Sequence, residues 1–143
     1  MRIEKKIDIK STPKRIYDIV IDGEIIAKWN LGIDDIQERE EGKEFLLKST
    51  IGDILITSWD LVENEKATWH IEQSDMNSIG YILKPKGDIV ETTVWVDFEN
   101  KKLRKSFEKA GDLTLKSLEN FVNFIEEGGD IEDYDKKQLM VSP

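Results

Sequence analysis

The stretch KLRKSFEKAGDLTLKSLENFVNFIEE, residues 102–127, decides how the rest of the chain is read. Apolar or small residues fall at Leu103, Phe107, Ala110, Thr114, Leu118, Phe121 and Ile125. Gaps of three and four place them on one face of a helix. Leu113, Leu115 and Val122 widen that stripe, and Gly128-Gly129 ends it. Gly111 breaks the pattern at a cost of about 1 kcal/mol relative to Ala. A bend or a close approach to another element would explain its presence. A helix this long with one apolar face needs a second layer to bury that face.

The residues before it supply that layer. Apolar runs at 36–40, 44–50, 54–62, 66–73, 79–84 and 89–98 are separated by turn signals. The turns are Glu41-Gly42, Gly52-Asp53, Asn64-Glu65, residues 75–78 and Pro85-Lys86-Gly87-Asp88. Links this short join antiparallel neighbours, so the segment reads as a meander of hairpins. At the N-terminus Ile3, Ile7 and Ile9 share one face of a strand over residues 3–10, with Lys5 as the exception. Ser11-Thr12-Pro13 stops the strand. Thr12 can cap a short helix that begins at Pro13 and buries Ile16, Ile19 and Val20. Asp22-Gly23 breaks it, and residues 24–29 read as a second short helix. The expected class is therefore α+β. One domain over residues 1–127 has an antiparallel sheet curved around the C-terminal helix. Residues 128–143 read as a polar, mobile tail in which Leu139, Met140 and Val141 are the apolar exception.

Composition narrows the function. The 143 residues suffice for one domain with a sizeable core. A formal net charge of −9 repels phosphate, so nucleic acid and anionic membrane are poor partners. The absence of Cys excludes disulfides and thiolate chemistry. No apolar run is long enough to span a bilayer, and the charged start is unlike a signal peptide, which makes a cytoplasmic location the expectation. With one His and scattered carboxylates, no metal site is expected, nor any cofactor.

The order of pieces resembles the START/helix-grip (SRPBCC) superfamily, in particular its polyketide cyclase/dehydrase-like branch. The resemblance rests on a first strand running into Ser11-Thr12-Pro13-Lys14-Arg15-Ile16-Tyr17, on Ala27-Lys28-Trp29 at the end of the second short helix, and on the meander and long helix beyond them. It spans roughly residues 1–127. The Pro that usually comes after the Trp is replaced by Asn30-Leu31-Gly32. The resemblance implies a helix-grip fold with a seven-stranded antiparallel sheet wrapped around the C-terminal helix. It also implies a hollow between the two that holds lipids, sterols, polyketides or other apolar molecules. Some relatives catalyse cyclisation or dehydration there, and one branch stimulates a chaperone ATPase. The superfamily has no universal catalytic residues, so none is assigned here.

Three functions remain open. The leading one is binding of a small hydrophobic or amphipathic ligand, for storage, transport or sensing, by a monomer or weak homodimer. Its expected lining is Trp29, Phe45, Leu47, Trp69, Tyr81, Val94, Phe107, Ala110 and Thr114, with Tyr81 or a Trp N–H orienting the ligand. The second is a cyclase or dehydratase, which needs a buried acid or base among Asp60, His70, Tyr81 and Glu91. Residues 54–62 are partly apolar in both phases, so either Asp60 or Trp59 faces inward. The alternation of 67–73 turns His70 outward. The third is an interaction module with a filled interior and an exposed apolar patch around Trp95, which is out of phase with Val94 and Val96, or around Leu139 to Val141.

Overall fold

Thr12 ends the first strand and begins the first helix, as its residue type requires. Its backbone is extended, its hydroxyl accepts from the Arg15 N–H at 3.2 Å, and Pro13 stands in the first helical turn. The structure is a computed structural model that describes residues 1–136. Strand β1 (Arg2–Ile9) leads into helices α1 (Pro13–Val20) and α2 (Ile26–Trp29). Strands β2 (Ile33–Arg39), β3 (Glu44–Ser49), β4 (Gly52–Val62), β5 (Lys66–Glu72), β6 (Met76–Lys86) and β7 (Ile89–Phe98) come next as hairpins. Helix α3 (Arg104–Glu126) closes the domain.

The strands form one seven-stranded antiparallel sheet in the order β1-β7-β6-β5-β4-β3-β2. The sheet curves with the help of bulges. The register slips by one residue at Asp34, Thr57 and Asn77, and an extra residue on one strand bends it and sharpens its twist. Helix α3 lies across the concave face against β1 and β7. Phe107, Leu115, Leu118, Phe121 and Val122 are buried there, as the spacing predicts. Gly111 faces both strands: a Cβ on it would lie 3.1 Å from Lys5 Cγ and 3.6 Å from Val94 Cγ1. Lys5, the exception on the inner face of β1, keeps its stem under the helix and its ammonium near Glu108 and Asp112, at 3.8 and 3.6 Å.

The helix ends where the glycines stand. Gly128 has φ +91°, its N–H donates to the Ile125 carbonyl, and the Gly129 N–H donates to the Phe124 carbonyl, closing the last turn. The polar composition beyond the helix predicts a mobile tail. Through Lys136 the chain is seated on the domain instead. The Tyr134 ring lies edge-on to Phe121 at 4.9 Å and tilted against Phe124 at 5.0 Å. Lys136 Nζ donates to the carbonyls of Asn30 and Ile33, at 2.9 and 2.6 Å. The Tyr134 ring and the Lys136 ammonium anchor this mostly polar stretch. Leu139, Met140 and Val141 lie outside the described residues.

Two groups of buried side chains make the core. One joins α1, α2 and the C-terminal half of α3 around Ile9, Ile16, Trp29, Leu118 and Phe121. The other joins Ile3, Leu47, Ile54, Phe98 and Phe107. Trp69 packs against both.

Candidate functional site

Between the two groups the core is hollow. A cavity of about 270 Å³ lies between the concave sheet face and α3. Its wall takes residues from both groups, among them Val20, Tyr81 and Val94 from the first and Leu47, Ile56 and Phe107 from the second. No Asp, Glu, Lys, Arg or His belongs to the wall among the described residues. The volume lies just under the ~300–1,000 Å³ of most ligand pockets.

Each sequence-predicted lining residue has a definite place. Phe45 and Leu47 reach the cavity from β3, Trp69 from β5, Tyr81 from β6 and Val94 from β7. Phe107, Ala110 and Thr114 reach it from one face of α3. Trp29 does not belong to the wall. It is fully buried in the first core group, and its indole Nε1 has no hydrogen-bond partner. Its position at the end of a one-turn helix suggests a residue at the mouth, yet the turn directs the ring into the core.

Other lining residues escape the sequence reading, and one bulge explains several of them. In β4, Ile54 and Ile56 face the cavity; the extra residue at Thr57 then shifts the phase, so that Trp59 and Leu61 face it beyond the bulge. Both phases of this strand look partly apolar because each is inward over half its length. The change from Ile54/Ile56 to Trp59/Leu61 is the signal that a bulge intervenes. Trp59, Leu61, Ile51 and Leu113 line the cavity yet remain exposed, which makes an apolar rim at its mouth. The Trp59 and Phe45 rings pack at 5.4 Å on this rim.

Of the acid and base candidates, Tyr81 alone faces the cavity. Asp60 and His70 lie on the outer face of the sheet, where His70 Nε2–H donates to Asp60 Oδ2 at 2.9 Å. Glu91 accepts from Lys86 on the same outer face, and that hydrogen bond holds its carboxyl below the usual value. Tyr81 is 4% exposed, and burial raises its phenol well above the usual value, so it stays protonated. Trp69 stands edge-on to it, with ring centroids 5.9 Å apart at 89°.

Trp95 corrects the expectation of an exposed aromatic. It points to the outer face, as its phase requires, but is only 6% exposed. The Arg2 guanidinium covers it at 4.1 Å, and Gly80 on the neighbouring strand leaves room for the indole. Among the described residues no group of His, Asp and Glu is placed to hold a metal ion, and no helix is long and apolar enough to cross a membrane.

A curved seven-stranded sheet closed on a C-terminal helix is shared with solved structures. The chain is similar to a START superfamily protein from Mycobacterium smegmatis, at 19% identity and a TM-score of 0.75, covering 87% of this chain and 98% of that one. The chain has the START/helix-grip fold. It is also similar to XoxI from Bacillus cereus, at 13% identity and a TM-score of 0.72, covering 87% and 97% of the two chains. The Aha1 dimer from Colwellia psychrerythraea shares the helix-grip fold at 16% identity and a TM-score of 0.66, covering 84% and 94%. No family model matches the chain, and neither does any curated protein.

Proposed function

We propose that the chain binds a small apolar or amphipathic molecule between its sheet and α3, for storage, transport or sensing. The observation that carries this is a cavity of about 270 Å³ whose wall is mostly apolar and, among the described residues, free of charged side chains. Phe45, Trp69 and Phe107 supply aromatic area, Leu47 and Val94 fill between them, and Ala110 and Thr114 keep the helix side low. A ligand burying ~200 Å² of apolar surface gains ~5 kcal/mol from transfer, before the cost of association is set against it. The apolar rim of Ile51, Trp59, Leu61 and Leu113 gives such a ligand a continuous path inward.

Binding is favoured over chemistry because Tyr81 faces the cavity with no acid or base beside it in the wall. It is favoured over an interaction module because the interior is hollow and Trp95 is covered. The test is native mass spectrometry of the purified protein, then denaturing extraction and titration of the emptied protein with a fluorescent hydrophobic probe. A co-purifying apolar molecule, or saturable uptake of the probe, is the expected result. Failure of both would overturn the reading.

A further inference from the structure

The cavity wall specifies more than apolarity. Only two polar side chains in it are buried, Tyr81 and Asn30, at 4% and 5% exposure. The Asn30 Oδ1 is occupied by the Gly32 N–H at 2.9 Å, which leaves its NH₂ as the available end. The Tyr81 hydroxyl makes no hydrogen bond to any described residue. Nor is it sealed off: the unpaired side-chain atoms wholly enclosed in the described protein are Trp29 Nε1, Asn64 Oδ1 and the Tyr134 hydroxyl. Ser49, at the edge of the wall, already donates to the Gly52 carbonyl. Each of the two buried polar groups thus has a hydrogen-bond donor to offer, in a wall that among the described residues has no positive charge to neutralise an anion.

We infer that the ligand is an uncharged molecule of one or two rings bearing a carbonyl-type oxygen, and that this oxygen accepts a hydrogen bond from the Tyr81 hydroxyl. The inference rests on the ligand-binding reading above. The size comes from volume: an apolar cavity of about 150 Å³ already takes up benzene, and this one holds about 270 Å³. The neutrality comes from solvation, because an unpaired carboxylate in such a wall would lose its water without compensation. The acceptor comes from Tyr81, a protonated donor with no partner among the apolar side chains around it.

Three probes of nearly equal size separate these statements: methyl naphthyl ketone, ethylnaphthalene and naphthoate, titrated at neutral pH by quenching of tryptophan fluorescence. Naphthoate should bind the native protein at least roughly tenfold more weakly than the ketone. In Tyr81→Phe the ratio of ketone to hydrocarbon affinity should fall roughly three- to tenfold. The carbonyl stretch of isotope-labelled ketone should move to lower frequency in the native protein relative to apolar solvent, a readout that does not depend on the variant folding. Hydrocarbon binding with an unshifted carbonyl stretch, or with the affinity ratio unchanged in a folded Tyr81→Phe protein, would overturn the inference and leave the apolar reading standing. Naphthoate binding as tightly as the ketone would do the same. If none of the three binds while the fluorescent hydrophobic probe does, this inference alone falls; if the probe fails as well and nothing co-purifies, the ligand-binding reading falls with it.

Discussion

Gly80 lies directly beneath the Trp95 indole on the outer face of the sheet. A Cβ on Gly80 would fall 2.4 Å from Trp95 Cζ2 and 2.6 Å from the Ala67 carbonyl oxygen. The indole could swing aside, but the carbonyl belongs to the β5–β6 ladder and cannot. Gly80→Ala should therefore destabilise the fold by about 1–3 kcal/mol, the usual range for overpacking. Urea unfolding measures it directly. An unchanged midpoint would mean that the two strands part more easily than their pairing implies.

Gly111 presents the opposite balance. Its nearest neighbour is Lys5 Cγ, at 3.1 Å, part of a flexible stem rather than backbone. Val94 Cγ1 and Ile3 Cδ1 stand at ordinary contact distances of 3.6 and 3.7 Å. An alanine here gains about 1 kcal/mol of helix propensity, and Lys5 can yield by a few tenths of an ångström. Gly111→Ala should match or exceed the native protein in thermal stability. A clear loss would show that α3 is held against β1 more rigidly than a lysine stem suggests.

These two glycines also show what a sequence can and cannot disclose. The order of elements, the turns and the buried stripe of α3 are legible because each depends on local periodicity and local turn chemistry. Trp95 reads as exposed because its cover comes from Arg2, paired across β1 and β7, and from the space at Gly80. Both are long-range facts, although a glycine inside a strand hints that something large lies close by. Trp59 and Leu61 are hidden by the bulge at Thr57, which a strict period of two cannot express. Trp29 misleads for a third reason: four residues of helix carry too little periodicity to fix the direction of one side chain.

Arg2 joins two tasks, covering Trp95 and pairing with Asp97 through Nε and Nη2, at 2.6 and 3.0 Å. The hydrogen bond from Arg2 holds the Asp97 carboxyl below its ordinary value of 3.8, and Ser78 adds to the effect. A carboxyl lowered in the folded state contributes stability that is fully present above its unfolded value and is lost as pH falls through its folded one. Asp97→Asn should therefore weaken the protein at neutral pH, by about 1 kcal/mol or less for a pair so near the surface. The difference should close as pH drops below about 4. Unfolding curves at neutral pH and at pH 3 give the comparison. A deficit that does not shrink at all between neutral pH and pH 3 would assign the effect to lost packing rather than to charge.

Ala110 puts a small side chain on the helix side of the cavity. It lines the wall between Phe107 and Thr114 and is only partly buried, so a larger side chain can extend into empty space rather than into packed core. Ala110→Trp should fill much of the ~270 Å³ while leaving the sheet and the buried turns of α3 in place. Losing even ~60 Å² of ligand burial at ~25 cal/mol per Å² is worth about tenfold in affinity. Probe uptake should therefore fall at least about tenfold, with far-ultraviolet circular dichroism and the thermal midpoint close to native. Uptake that survives in a folded Ala110→Trp protein would place the binding of apolar molecules elsewhere on the chain.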